Sequence, residues 1–444
     1  MTQKYNKINV SALLIFFIIL VILFATPIKN LFGRTIGTFL PDILVVFLLI
    51  NIMSTKIFYR KNNLDSLFFT LFIYVFLHGF GWAVVNLFNS KLRIGDLADY
   101  RNMLSCLIIY VAVRIDFTKN FNKSIQVYFK LFKILSLVLL VDIIFEYFVY
   151  KILGYSLEFL PWHTSKIGES MSVGTINYRM YGMANSLSRI PTLFGTPHPA
   201  GILAVSLSFV MMSGYHCFHV KSYKNLSIFL MISVFLIESR LQILTLVFLL
   251  FHFKKEVFKI LFYKLKYTLN IYLISVIVLI VGIILTLSVY KERILVSSEG
   301  AFNFFYIGIT EGNWGVVKTF ITVPDIFTVF IGNGPFGGSM VWGELWDIGK
   351  IEAGIITEIL PKFGVIFLFL YYLFFFFVYR YCRIYNCIIY FLPLFPVIIS
   401  PLHFWLFNRT GVTHYYGLTI GIIVSLIIEK KRVSKVKQKV LNAT

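Results

Sequence analysis

The residues of this 444-residue chain best suited to chemistry are arginines, histidines and carboxylates at the ends of apolar runs. Arg179 and Arg189 lead into Gly195-Thr-Pro-His198-Pro-Ala-Gly201, where a helix is expected to begin. Pro197 and Pro199 are read as holding the chain extended before that helix, whose free N-terminal amides favour an anion. Arg240 stands between two short apolar stretches, and Arg409 and His414 open the last one. Arg34 and Arg101 are placed similarly. A planar guanidinium grips phosphate or carboxylate oxygens in pairs, so this set suits a phosphorylated, polar substrate. His198 is read either as a substrate contact or as a hydrogen-bonded structural group.

A second group lies later in the chain. Gly332-Asn-Gly334-Pro-Phe-Gly337-Gly338 matches a dinucleotide fingerprint in letters, but no alternation of strands and helices surrounds it. Its glycines are read as permitting a tight turn and a close backbone approach. Glu344, Asp347 and Glu352 follow, and then an apolar run interrupted by Pro361 and Gly364. These carboxylates are either helix caps or the source of a general base or sugar-hydroxyl acceptor. The sequence has no metal-binding signature and no P-loop, so neither a metal nor another cofactor is expected.

The elements that must position these residues are apolar. Hydrophobic residues make up 58% of the chain and charged residues 14%, against about 45–50% and 25% in soluble domains. Runs long enough to cross a bilayer lie near 8 to 25, 36 to 53, 67 to 88, 101 to 114, 132 to 150 and 200 to 217. Six more lie near 222 to 237, 241 to 253, 269 to 289, 353 to 378, 386 to 405 and 411 to 428. The seventh and eighth are short and flank Glu238-Ser239-Arg240, so they are two crossings or a re-entrant hairpin. The first is read as a retained anchor rather than a signal peptide, because it lacks a small-x-small cleavage site. The chain is thus expected to be one polytopic domain over 1–444, an all-α integral membrane protein of about 12 transmembrane helices.

Charge orients it. With both termini on one side, that side holds 25 of the 41 basic residues and 4 of the 20 acidic ones, so the whole formal excess of +21 lies there. It is assigned to the cytoplasm. The excess is therefore a topology signal and no nucleic-acid partner is expected. On the opposite, neutral side, 8 of 16 basic residues are Arg, against 5 of 25 inside. Two connections on that side are long, 154–199 and 290–352, while 429–444 forms a basic cytoplasmic tail. Within the later loop, Trp314 to Pro324 reads as a short amphipathic helix at the membrane surface, or as a cap on the bundle. Asp42, His78, Asp142 and Glu146 lie deeper, where ionisable groups default to function. Cys106, Cys217, Cys382 and Cys387 are not on the oxidising side, so no disulfide is expected.

The arrangement of Arg189 before Gly195-Thr-Pro-His198-Pro, the short pair joined by Ser239-Arg240, and the late loop from Gly332-Asn-Gly-Pro-Phe-Gly through Asp347 and Glu352-Ala-Gly354 to Lys362-Phe-Gly364 resembles the Wzy-type O-antigen polymerases. These are similar to the O-antigen ligases. The likeness covers nearly the whole chain in layout, with short motifs. The family's spacing of ten residues between an arginine and a glycine is not met, since eleven residues separate Arg189 from Gly201.

The resemblance implies a fold of the lipid-donor (GT-C-like) glycosyltransferase kind, with two large periplasmic loops. It implies a bacterial inner-membrane enzyme moving a polysaccharide from an undecaprenyl-diphosphate carrier onto the sugar of a new carrier-linked unit at the periplasmic face. Expected partners are that lipid-linked oligosaccharide, membrane lipid and a chain-length regulator. Arg179, Arg189 and Arg240 match the family's diphosphate-handling arginines by position, with His198, Arg409 and His414 as further substrate contacts. The base is assigned to Asp347 first and Glu352 second. The ligases carry a histidine in the late loop, and Gly338 to Gly354 has none. The alternatives are an O-antigen ligase and a lipid-linked oligosaccharide flippase or other transporter.

Overall fold

The computed structural model describes residues 9–24, 28, 34–55, 62–88, 98–153, 190, 192–193, 197–237, 239–261, 326–332, 360–399 and 412–441. Every element among them is helical. The first five are α1 (Val10–Leu23), α2 (Arg34–Met53), α3 (Asn63–Phe88), α4 (Ala98–Lys119) and α5 (Phe121–Tyr147), the last running into a π-helical turn at Phe148–Ile152. Next come α6 (Pro197–Phe218), α7 (Lys221–Ile237), α8 (Arg240–His252), α9 (Lys254–Leu261) and α10 (Ile326–Ile331). The chain continues through α11 (Leu360–Ile384), α12 (Phe395–Ile399) and α13 (Val412–Leu441).

Among the described residues, four helices are long and apolar enough to cross a membrane: α3, α6, α11 and α13. The described residues are thus those of an all-helical membrane protein. Phe76, Leu77 and Phe80 on α3 are each more than 60% exposed, and an apolar face of that kind suits lipid rather than water. The ninth expected crossing, 269–289, lies outside the described residues. The eleventh, 386–405, is not one continuous helix where it is described. Asn386 has a positive φ of 49°, and two 3₁₀ turns at Ile388–Tyr390 and Leu392–Leu394 precede the five residues of α12. Pro393 and Pro396 lack the N–H that a continuous helix needs there. The basic tail extends α13 as helix through Leu441.

Helix direction follows from a few contacts. A Cβ on Gly417 of α13 would stand 2.4 Å from the carbonyl oxygen of Cys106 on α4, and one on Gly421 would meet the Val113 side chain at 3.0 Å. Both chains advance together, so α4 and α13 are parallel, with two glycines four residues apart giving the close approach expected of small residues between membrane helices. Asp65 near the start of α3 pairs with Arg114 near the end of α4, so those two are antiparallel. Phe129, early in α5, packs on Gly214, late in α6, which sets that pair antiparallel as well. The starts of α2, α4, α6 and α13 and the ends of α3 and α5 therefore share one end of the bundle, called here the mouth. The basic extension of α13 leaves from the other.

That other end is locked by buried polar groups. Arg114 Nε and Nη2 donate to the two carboxylate oxygens of Asp65 at 2.9 and 3.1 Å, and its Nη1 donates to Ser425 Oγ of α13 at 2.8 Å. Tyr110 donates to the same carboxylate. Asp65 and Arg114 are 0% and 4% exposed, a geometry in which bidentate pairing and further hydrogen bonds offset desolvation. Both fall on the side that the charge distribution assigns to the cytoplasm. As a mutually neutral pair they leave the excess unchanged, and they act as an interior clamp rather than a surface signal.

Candidate functional site

The mouth is assembled from three latches, each joining a helix end to a connecting segment. The first is on α5, where Asp142 and Glu146 sit one turn apart and are both buried. The backbone N–H of Thr192 donates to Glu146 Oε2 at 2.7 Å, and that of Leu193 to Asp142 Oδ2 at 2.9 Å. Thr192 has φ 59°, a strained conformation for a β-branched residue. Charge-assisted bonds from successive amides hold it. The two acids expected to be deep functional groups thus anchor a turn near the end of the first large loop. Arg189 lies outside the described residues, but only three positions before Thr192, within about 10 Å of chain.

The second latch joins α6 to the break between α7 and α8. A Cβ on Gly201 would meet Ser239 Cβ at 2.9 Å and Gln242 Cγ at 3.0 Å. Glycine there lets the first turn of α6 touch the start of α8, where the Ser239 backbone carbonyl accepts from the amides of Gln242 and Ile243. His198 lies in that first turn and Arg240 opens α8, so these two helix starts are neighbours. One expectation is corrected here. Pro197 and Pro199 are not in an extended approach; α6 begins at Pro197. Proline fits a first helical turn because the N–H it lacks has no intrahelical partner there. The same fact removes two amide donors, which weakens the anion site expected at this terminus.

The third latch holds the base of the second large loop. Tyr74 Oη of α3 donates to the Phe363 carbonyl at 2.9 Å and lies 3.4 Å from that of Ile331. His78, one turn further along, hydrogen-bonds the backbone at Ile331 and Gly332. Gly332 and Gly364 have φ 81° and 71°, and α11 is kinked at Gly364. The sequence marked both glycines; the fold uses them for a turn after α10 and for a helix break.

A fourth constellation lies at the starts of α2, α4 and α13. Arg101 Nη1 contacts Asp42 Oδ2 at 3.3 Å, while His414 on α13 is 1% exposed. His414 adjoins Tyr415, whose hydroxyl lies 2.8 Å from Ser206 Oγ, eight residues into α6 beyond His198. Arg179, Arg189, Asp347, Glu352 and Arg409, as well as Glu344, the 290–325 part of the late loop and Trp314 to Pro324, lie outside the described residues.

Sequence reasoning missed Tyr74 and the Asp65–Arg114 clamp. A Gly-x-x-x-Gly spacing at Gly417 and Gly421 was a readable sign that α13 has a close partner. Among the described residues, no three His, Cys, Asp or Glu side chains are grouped to hold a metal ion. No family model, curated protein or solved structure matches the chain.

Proposed function

We propose that this protein is a Wzy-type polymerase, transferring a growing polysaccharide from an undecaprenyl-diphosphate carrier to the sugar of a newly delivered carrier-linked unit at the periplasmic mouth of the bundle. The observation that carries the reading is the contact between Gly201 and Ser239. It seats the helix start that carries His198 against the helix that Arg240 opens, and the latched turn at Thr192 follows Arg189 by three positions in the sequence.

The chemistry suits such a set. Cleaving the anomeric C–O bond leaves negative charge on the departing diphosphate, and arginine forks from Arg189 and Arg240 stabilise it as it develops. The acceptor hydroxyl forms the new C–O bond from the opposite face and gives its proton to a carboxylate, Asp347 before Glu352. In the sequence both fall between Ile331 and Phe363, whose carbonyls Tyr74 draws together. A transporter reading calls for ionisable groups lining a mid-membrane path. Asp142, Glu146 and His78 instead bond the backbone of external connections, which favours an enzyme with a built mouth.

Deletion followed by electrophoresis of surface lipopolysaccharide tests the proposal. A single band of core plus one repeat unit supports polymerisation. Core alone, with polymer held on the carrier, points to a ligase, and core alone without carrier-linked polymer points to a flippase.

A further inference from the structure

Three of the four cysteines gather at the end of the bundle away from the mouth. Phe68 packs on Phe374 while Tyr74 reaches Phe363, so α11 runs antiparallel to α3 and ends on that side. Cys382 sits in its last turn and Cys387 in the turn just beyond, both buried. Cys217, near the end of α6, has its Sγ 3.3 Å from the Tyr390 hydroxyl.

The way α11 ends brings two of these thiols together. The Cys387 N–H donates to the Cys382 carbonyl at 2.8 Å, and the Asn386 N–H to the Arg383 carbonyl at 3.2 Å. Asn386 has the positive φ of 49° that such a pair of bonds requires. This is a Schellman helix stop, in which the side chains at the two ends of the longer bond touch. The touching pair is usually apolar; here it is two thiols, hydrogen-bonded to each other. The backbone bond also caps the separation of the two Cα atoms at about 6.7 Å, inside the range of about 4.4–6.8 Å that a disulfide spans.

We propose that Cys382 and Cys387 are a reversible dithiol, closed to a disulfide by peroxide and reopened by a thiol reductant. The proposal stands apart from the glycosyl-transfer reading. Cys387 reacts first: the Cys382 thiol hydrogen-bonds it and Lys430 of α13 acts on its charge, and both favour a thiolate. Peroxide, uncharged and little larger than water, reaches a sulfur that bulkier oxidants would not. The Cys387 sulfur attacks it, an S–O bond forms, the O–O bond breaks, and the departing hydroxide takes up the proton the thiol released. The Cys382 sulfur then displaces that oxygen from Cys387 as a second water. Two thiols and one peroxide give one disulfide and two waters, with two electrons passing from sulfur to oxygen. The disulfide ties α11 to the 3₁₀ turn that Cys387 precedes, whose Tyr390 bonds Cys217 of α6. Oxidation thereby fixes the seam between α11 and α6, and exchange with a reducing thiol frees it.

The test is thiol mapping on the full chain in detergent. The protein is treated with hydrogen peroxide, quenched with catalase, denatured, alkylated with N-ethylmaleimide and cut with trypsin in the absence of reductant. Arg383 separates the two cysteines, so the disulfide shows as a linked pair of peptides. That pair is expected, with the alkyl label lost from Cys382 and Cys387 together, kept on Cys106, and restored to both by dithiothreitol. Cys217→Ala should form the same pair. In Cys382→Ser the Cys387 sulfenic acid should persist and be trapped by dimedone, whereas Cys387→Ser should leave Cys382 labelled. Oxidation should raise the thermal midpoint of the wild-type protein and of neither serine variant. Absence of the linked pair overturns the proposal, as does a pair that forms as fast in the denatured chain as in the native one. A link from either thiol to Cys217 instead, or a linked pair with an unchanged midpoint, overturns it equally.

Discussion

Gly364 lies so close to Phe330 that a Cβ at position 364 would stand 2.2 Å from the Phe330 carbonyl oxygen. Backbone meets backbone there, between the short α10 and the kink of α11. No side chain at 364 fits without displacing one of them. Gly364→Ala should therefore lose stability through both the contact and the φ of 71°, by about 1–3 kcal/mol for the backbone strain alone. The thermal midpoint of the detergent-solubilised protein reads this, and an unchanged midpoint would mean that α10 does not dock as described.

Tyr74→Phe removes one hydroxyl from the neck of the second loop and leaves the ring. The expected loss is about 0.5–1.5 kcal/mol, with faster proteolysis between α10 and α11 while cleavage elsewhere is unaltered. Limited digestion followed by mass mapping distinguishes the two patterns.

Asp65→Leu leaves the Arg114 guanidinium buried without its carboxylate and should destabilise by about 3–5 kcal/mol. Pairing it with Arg114→Met should recover most of that loss, since the uncompensated charge disappears. A double-mutant cycle on unfolding midpoints measures the coupling, and simple additivity would count against the clamp.

Glu146→Leu removes the acceptor that holds Thr192 in its left-handed conformation. A charge-assisted bond of this kind contributes about 1.5–3 kcal/mol. Polysaccharide ladders should shorten sharply at normal membrane abundance, because the turn carrying Arg189 toward the mouth is released. Full-length ladders at wild-type density would show that the latch does not serve the reaction.

Arg189→Lys and Arg240→Lys keep charge and lose the planar fork. Each should impair chain extension without changing the amount of protein in the membrane, as read by gel ladders and immunoblot together. A normal ladder from both variants would remove the arginines from the proposed chemistry.

Much of the fold was legible because apolar runs report helices directly. The expected stretches around α1, α2, α6, α7 and α8 coincide with the described elements to within a few residues. The region after Asn386 misled for a definite reason: hydropathy counts Pro393 and Pro396 as tolerable neighbours of Phe, Leu and Ile, while the backbone counts missing donors. Asp142 and Glu146 were recognised as unusual from their depth, yet their partners are main-chain amides, and no side-chain pattern announces those. Tyr74 carried no signal at all among so many aromatic residues. His414 stands out in the sequence for its place at a helix mouth, but its burial follows the packing of α13 on α4 through a glycine contact across more than 300 positions.

That separation bears on biosynthesis. Arg114 is bonded to Ser425, 311 residues later in the chain, and Gly417 and Gly421 supply the groove in which α4 lies. Until α13 emerges from the ribosome and inserts, the face of α4 that packs on it is uncovered, and the Arg114 guanidinium lacks one of these three hydrogen bonds. The early helices thus enter the bilayer as an unfinished bundle, and the final one acts as a keystone. A nonsense mutation near position 410 would remove the glycine groove that receives α4 as well as the tail.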